Sequence, residues 1–237
     1  MKKVYFVLLL IIIVVGGYYI YLNTMQKKLL VIGIKQKEPF VYYDNKGKLT
    51  GFSIDILSEI LKQDVIYKNV DDFALELEKK TIDIAITSGN KTKNASFSNS
   101  YFDNGFVLVK LSSNNNILKK QDVNNKKIGV IANIDDNYDL KNSLIKSTVL
   151  KYDIQNAFSA LESGEIETIV LDKVTAVLKR PDVDKFSLVS HNTFLKNEFS
   201  FAINKKDTKL LKQINDGLHF IRQKGVYNKI VNKYFGE

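Results

Sequence analysis

The 237 residues hold no cysteine and only two histidines, His191 and His219. A thiolate nucleophile, a disulfide, a cysteine metal site and a cysteine-linked lipid are excluded together. His219 falls beside the apolar face of a helical pattern and His191 in a loop next to Asn192. Neither has the base-and-orienter setting of a nucleophilic triad. The Asp135-Asp136 pair imitates a catalytic dyad, but neighbouring side chains at a helix start diverge. No spacing matches a metal cluster or a phosphate-cradling glycine loop, so no metal and no cofactor is expected. The chemistry left is non-covalent: polar side chains that hold a solute by charge and hydrogen bonds. Binding, not catalysis, is the expectation.

Those side chains need elements to hold them, and the hydrophobic pattern supplies an order. LLVIGI (Leu29–Ile34) predicts a buried strand, short and β-branched. Tyr42 to Gly47 predicts a turn. From Phe52 the positions Phe52, Ile56, Leu57, Ile60 and Leu61 follow helical spacing, with Asp55 placed to complement the helix dipole. VIYKNV, a helix over Phe73–Lys80 and the strand IDIAI (Ile82–Ile86) complete a β-α-β-α-β order. That order points to a mainly parallel α/β layer. It returns in Lys126–Ile131, a helix over Asp135–Ile145, Val149–Tyr152, a helix capped by Asp153 and ended by Gly164, and the strand IETIVL (Ile166–Leu171). LELEKKTIDIAI and FSALESGEIETIV match in pattern, and the polar stretch SSNNNILKKQDVNNKK separates the two units. Two lobes of one plan are expected. GFVLVKL (Gly105–Leu111) and EFSFAI (Glu198–Ile203) are the expected crossovers, a pair of strands suited to a hinge. Helices over Asp207–Lys224 and from Val226 toward Phe235 end the chain.

Charge and the N-terminus bound partners and compartment. Lys+Arg number 35 against 26 Asp+Glu, a net charge of +9. The lysines are scattered among Asn, Asp and Glu instead of forming a basic patch interleaved with aromatics, so no nucleic-acid partner is expected. Solvated helix faces, with a weak bias toward anionic membrane surfaces, explain the balance. Lys2 and Lys3 precede an unbroken apolar run from Val4 to Leu22. Its length suits a membrane-spanning helix better than a cleavable signal, and Tyr18, Tyr19 and Tyr21 suit an interfacial belt. An uncleaved anchor is favoured over a cleaved signal, and either reading puts the chain from about Asn23 outside the cytoplasm.

Taken in order, LLVIGIKQKEPFVYYDNKGKLTGFSIDI, IDIAI, FSNSYF, DVNNKKIGV, AFSALESGEIETIVLD and GVYNKIVNKYFG resemble a known family over about Leu29 to Gly236. It is that of the type II periplasmic binding proteins of family 3, which serve polar amino-acid ABC transporters. The resemblance implies an α/β, two-lobed fold with two hinge crossovers behind an N-terminal transmembrane or signal segment. Expected limits are 1–28 for that segment, 29–107 with 200–237 for one lobe, and 108–199 for the other. It implies a small amino acid or amine as ligand, an ABC transporter permease as partner and a monomeric receptor. A membrane-tethered sensor with an altered pocket is the alternative, and an enzyme on the same fold a more remote one.

For the site, the resemblance implies ligand contact by Phe40, by Thr87, Ser88, Asn90 and Lys93 after the IDIAI strand, by Asn133 and Asp135 in the second lobe, and by Asp172. Departures accompany it. Ala95 stands where the family carries a carboxylate-gripping arginine, Lys37 where an aromatic often stands, and Val70 near the usual stacking ring. With that arginine gone and Asp172 retained, the pocket is expected to favour an ammonium, leaving any ligand carboxylate to solvent, Lys91 or Lys93.

Overall fold

The computed structural model describes residues 14–16, 29–89, 92–131 and 138–236. In chain order it begins with β1 (Leu30–Ile34), the hairpin β2 (Tyr42–Tyr43) and β3 (Leu49–Thr50), α1 (Phe52–Leu61), β4 (Val65–Asn69), α2 (Phe73–Glu78) and β5 (Ile84–Ser88). β6 (Ala95–Phe97), β7 (Phe102–Asp103), β8 (Phe106–Leu111), β9 (Lys127–Ile131), α3 (Tyr138–Ser143) and β10 (Thr148–Tyr152) follow. Next come α4 (Ile154–Glu162), β11 (Thr168–Asp172), α5 (Lys173–Leu178) and β12 (Phe186–Leu188). The chain closes with β13 (Glu198–Asn204), α6 (Thr208–Gln223) and α7 (Val226–Phe235).

These strands form two sheets of one plan. The first runs β4-β1-β5-β13-β6, with β7 also paired to β13, and the second runs β10-β9-β11-β8-β12. In each, three parallel strands come first, and an antiparallel strand then joins the third. The two sheets make the two lobes that the internal match predicted.

One contact explains why the match recurs. Ile82 and Ile166, the isoleucines that open the two matching strand segments, are each 1% exposed. A Cβ at Gly33 would lie 2.6 Å from Ile82 Cδ1, and a Cβ at Gly129 2.6 Å from Ile166 Cδ1. The isoleucine therefore fills the space over a glycine of the neighbouring parallel strand in both lobes. The next residue anchors the crossing: Asp83 N–H donates to the Val31 carbonyl at 2.8 Å, and Glu167 N–H to the Lys127 carbonyl at 2.9 Å. Because these residues dock sideways first, β5 and β11 each begin two residues later than the apolar pattern predicts.

Local chemistry sets the helices. Asp153 and Asp207 accept the N–H groups of Asn156 and Leu210, each at 2.9 Å, and so cap α4 and α6. The described part of the helix expected over Asp135–Ile145 is only α3, and residues 132–137 lie outside the described residues. In the first lobe the core is aromatic: Phe40, Phe52, Tyr101, Phe199, Phe201 and Phe235 are all buried. Phe40 stacks on Phe199 with ring centroids 3.9 Å apart, and Tyr101 on Phe201 at 4.5 Å. Burial pushes the Tyr101 hydroxyl above the usual phenol range, and that hydroxyl donates to Ser53 Oγ at 2.8 Å. The family-like ending earns its place here, since α7 delivers Phe235 to this cluster and its Lys233 and Tyr234 bond Asp55 of α1 at 2.6 and 2.9 Å.

The lobes are joined by two segments running side by side. Asn104 N–H donates to the Asn197 carbonyl at 3.0 Å, and Phe106 N–H to the Leu195 carbonyl at 3.1 Å. Asp103 accepts the N–H groups of Gly105 and Asn197 at 3.0 and 2.8 Å, and the Thr193 hydroxyl as well. A Cβ at Gly105 would meet the Leu195 carbonyl oxygen at 1.7 Å, so only glycine permits this approach. β8 pairs within the second sheet along its whole length and β13 within the first. The sequence limits at 107/108 and 199/200 thus fall inside strands, with the joining segments just before each.

Of the apolar N-terminal run only residues 14–16 are described, so the expected anchor lies outside the described residues. Among the described residues no helix is long and apolar enough to cross a membrane.

Candidate functional site: a cavity at the strand ends of the first lobe

In an open α/β sheet, ligands sit outside the carboxyl ends of the parallel strands. In the first lobe those ends are the loop Lys35–Lys37 after β1, Val70 and Asp71 after β4, and Thr87 and Ser88 at the end of β5. All of these residues line one cavity of about 330 Å³, together with Phe40, Val41, Phe73, Ile86 and Phe199. That volume suits a small molecule, and an apolar wall with a few polar groups is the usual build of such a site. Phe199 enters because antiparallel β13 places it opposite Ser88.

The wall has an apolar floor and an ionic rim. Phe40 is 1% exposed and Phe199 2%, so their stacked pair forms a floor that adds little freedom to be lost on binding. Thr87 is buried, and its hydroxyl donates to the Ser200 carbonyl at 3.1 Å, which leaves its oxygen able to accept from a ligand. The Ser88 side chain is exposed. Lys37 Nζ stands 5.5 Å from the Phe199 ring centroid, close enough for the ring face to hold the ammonium above the floor.

Phe40, Thr87 and Ser88 are thus brought together in this wall, as is Val70 at the position of the expected stacking ring. Lys93 is exposed and is not among the described wall residues. Asn90, Asn133 and Asp135 lie outside the described residues, as does Lys91. Ala95 is buried in β6 against a small apolar cluster with Leu77, Ile82, Ala85 and Ala202 and takes no part in the wall. Asp172 lies elsewhere as well. Its carboxylate accepts Thr175 N–H at 3.1 Å and the Thr175 hydroxyl at 2.6 Å, which caps α5, and it accepts Asn104 Nδ2 at 3.0 Å. Asn104 Oδ1 in turn accepts Val174 N–H at 2.8 Å, so this acid ties a crossover to the start of α5.

Sequence reading missed Lys35, Gln36, Val41, Asp71, Phe73, Ile86 and Phe199 and named Lys37 and Val70 only as departures from the family. Most of them stand at or just past the ends of strands that were legible in the sequence, but the sheet order that gathers those ends was not.

A second recess, of about 560 Å³, lies beside the crossovers and includes Asp103, Lys173, His191, Lys196 and Tyr227. Asp103 is committed to the crossovers there, and Lys196 faces Glu198 at 3.8 Å. The strand-end cavity is the better site.

Comparison with known proteins agrees with this geometry. The model of the bacterial extracellular solute-binding proteins, family 3, matches residues 30–237. The chain belongs to that family. It is 26% identical over 230 residues to the L-cystine-binding protein TcyJ of Escherichia coli strain K12, covering 91% of this chain and 86% of that protein. It is 28% identical over 213 residues to a protein of Campylobacter jejuni named "Probable histidine-binding protein", covering 83% and 80%. Among solved structures, a polar amino acid ABC uptake transporter substrate-binding protein from Streptococcus thermophilus superposes with a TM-score of 0.74 at 27% identity, covering 90% of this chain and 88% of that one. This family member is therefore a two-lobed extracytoplasmic solute-binding protein of the amino-acid transport type.

Proposed function

We propose that the strand-end cavity of the first lobe is where this family 3 protein captures its amino acid. The second lobe then closes over it, and the filled receptor delivers the solute to an ABC transporter permease. The observation that carries the reading is the convergence of three parallel-strand ends and the Phe40–Phe199 floor on one cavity of small-molecule size. Thr87 and Ser88 supply hydroxyls, and Lys35, Lys37 and Asp71 supply charge. The chain binds its ligand unchanged, acts as a monomer and stays tethered through the apolar run from Val4 to Leu22. The pairing of β8 and β13 supports lobe limits of 29–104 with 197–237, and 105–196.

A thermal-shift screen of the twenty L-amino acids and L-cystine is the test. A ligand present at about 100 times its dissociation constant adds about 2.7 kcal/mol. For a chain of this length that raises the melting temperature by roughly 5–11 °C. Thr87→Val together with Ser88→Ala is expected to reduce the shift. No shift from any member of the panel would count against capture of an amino acid in this cavity.

A further inference from the structure

Three of the cavity's described wall residues are ionisable: Lys35 and Lys37 after β1, and Asp71 after β4. Among the described residues none of the three forms an ion pair. Lys37 is held at the cavity by the Phe199 ring. Asp172, the acid expected to meet a ligand ammonium, is not among the described wall residues, and its carboxylate accepts from Thr175 and Asn104. The described wall therefore offers two positive groups and one negative one, over an apolar floor.

Resting on the reading of this cavity as the ligand site, we propose that the preferred solute is an amino acid of net negative charge, a dicarboxylic one. Two carboxylates and one ammonium complement two lysines and one aspartate group for group, and the methylenes between them suit Phe199 and Val70. A cationic side chain would instead bring a second positive charge against two lysines, and like charges forced together cost affinity. A neutral side chain would leave one lysine partly desolvated without a partner. The selectivity is thus against arginine first and glutamine second. This reverses the preference for an ammonium drawn from Ala95 and Asp172, because neither residue belongs to the described wall and two lysines do.

Titration calorimetry of the full-length chain in detergent, with L-glutamate, L-glutamine and L-arginine in turn, tests the proposal. Glutamate is expected to bind about tenfold or more tightly than glutamine, a 1.4 kcal/mol preference, and arginine weakest of the three. Lys35→Gln with Lys37→Gln is expected to weaken both amino acids, glutamate the more, and so to bring the glutamate-to-glutamine ratio close to one. Added salt should weaken glutamate more than glutamine in the native chain, a readout that needs no variant. Arginine or glutamine binding as tightly as glutamate would overturn the charge assignment and leave amino-acid capture standing. If the double substitution leaves the ratio unchanged, the lysines are not the selecting groups and the proposal fails. No heat from any amino acid, with no shift in the wider screen, would bring down both readings.

Discussion

Asp172 is matched to a ligand by its position in the chain, and in the fold its carboxylate caps α5 and holds Asn104. It stands at the end of β11, where α5 begins, and a helix start leaves N–H groups without intrahelical partners. Its oxygens accept two donors of Thr175 and the Asn104 amide, so the residue serves the joint between the lobes. Asp172→Ala removes the cap, typically about 1 kcal/mol, and leaves the Asn104 amide lacking its acceptor. We expect a loss of about 1–2 kcal/mol in a denaturant melt and ligand affinity within a factor of two or so of the native chain. A tenfold loss of affinity with unchanged stability would instead make Asp172 a ligand group. Lys35 and Lys37 are the reverse case, since an exposed lysine pair in a loop looks like ordinary surface until the strand ends around it are assembled.

At the scale of elements, the Gly33–Ile82 and Gly129–Ile166 contacts test whether the two lobes share one construction. Each glycine lies under an isoleucine that would be 2.6 Å from an added Cβ, and forcing extra volume into a packed core costs about 1–3 kcal/mol. Gly33→Ala and Gly129→Ala are each expected to lower stability by about that much in a denaturant melt. The sites lie in separate lobes, so the double variant should lose close to the sum if the chain unfolds as one unit. Indifference at either glycine would show the repeat to be a resemblance of pattern only.

Much of this was legible beforehand. Apolar periodicity located β1, β4, β9, β10, α1, α6 and α7 to within a few residues, because each element buries or half-buries most of its apolar residues. The sequence pattern misplaced the starts of β5 and β11, since Ile82 and Ile166 are as apolar as strand residues but dock onto the neighbouring strand before the ladder begins. The cavity was half legible. Thr87 and Ser88 follow from their strand, whereas Asp71 and Phe199 join them only through the order β4-β1-β5-β13, which no local pattern encodes.

At the scale of the whole molecule, two lobes are joined by paired backbone at Asn104–Phe106 and Leu195–Asn197. Val174, at the start of α5, packs into the first lobe's core, so the second lobe already touches the first near the crossovers. In the proposed function a pivot there would bring the far edges together and cover the strand-end cavity. Solution scattering tests whether the lobes close over a captured amino acid. With the amino acid that gives the largest thermal shift present at saturation, the radius of gyration should fall and the distance distribution should lose its longest vectors. An unchanged radius of gyration, with binding confirmed in the same sample by calorimetry, would contradict closure.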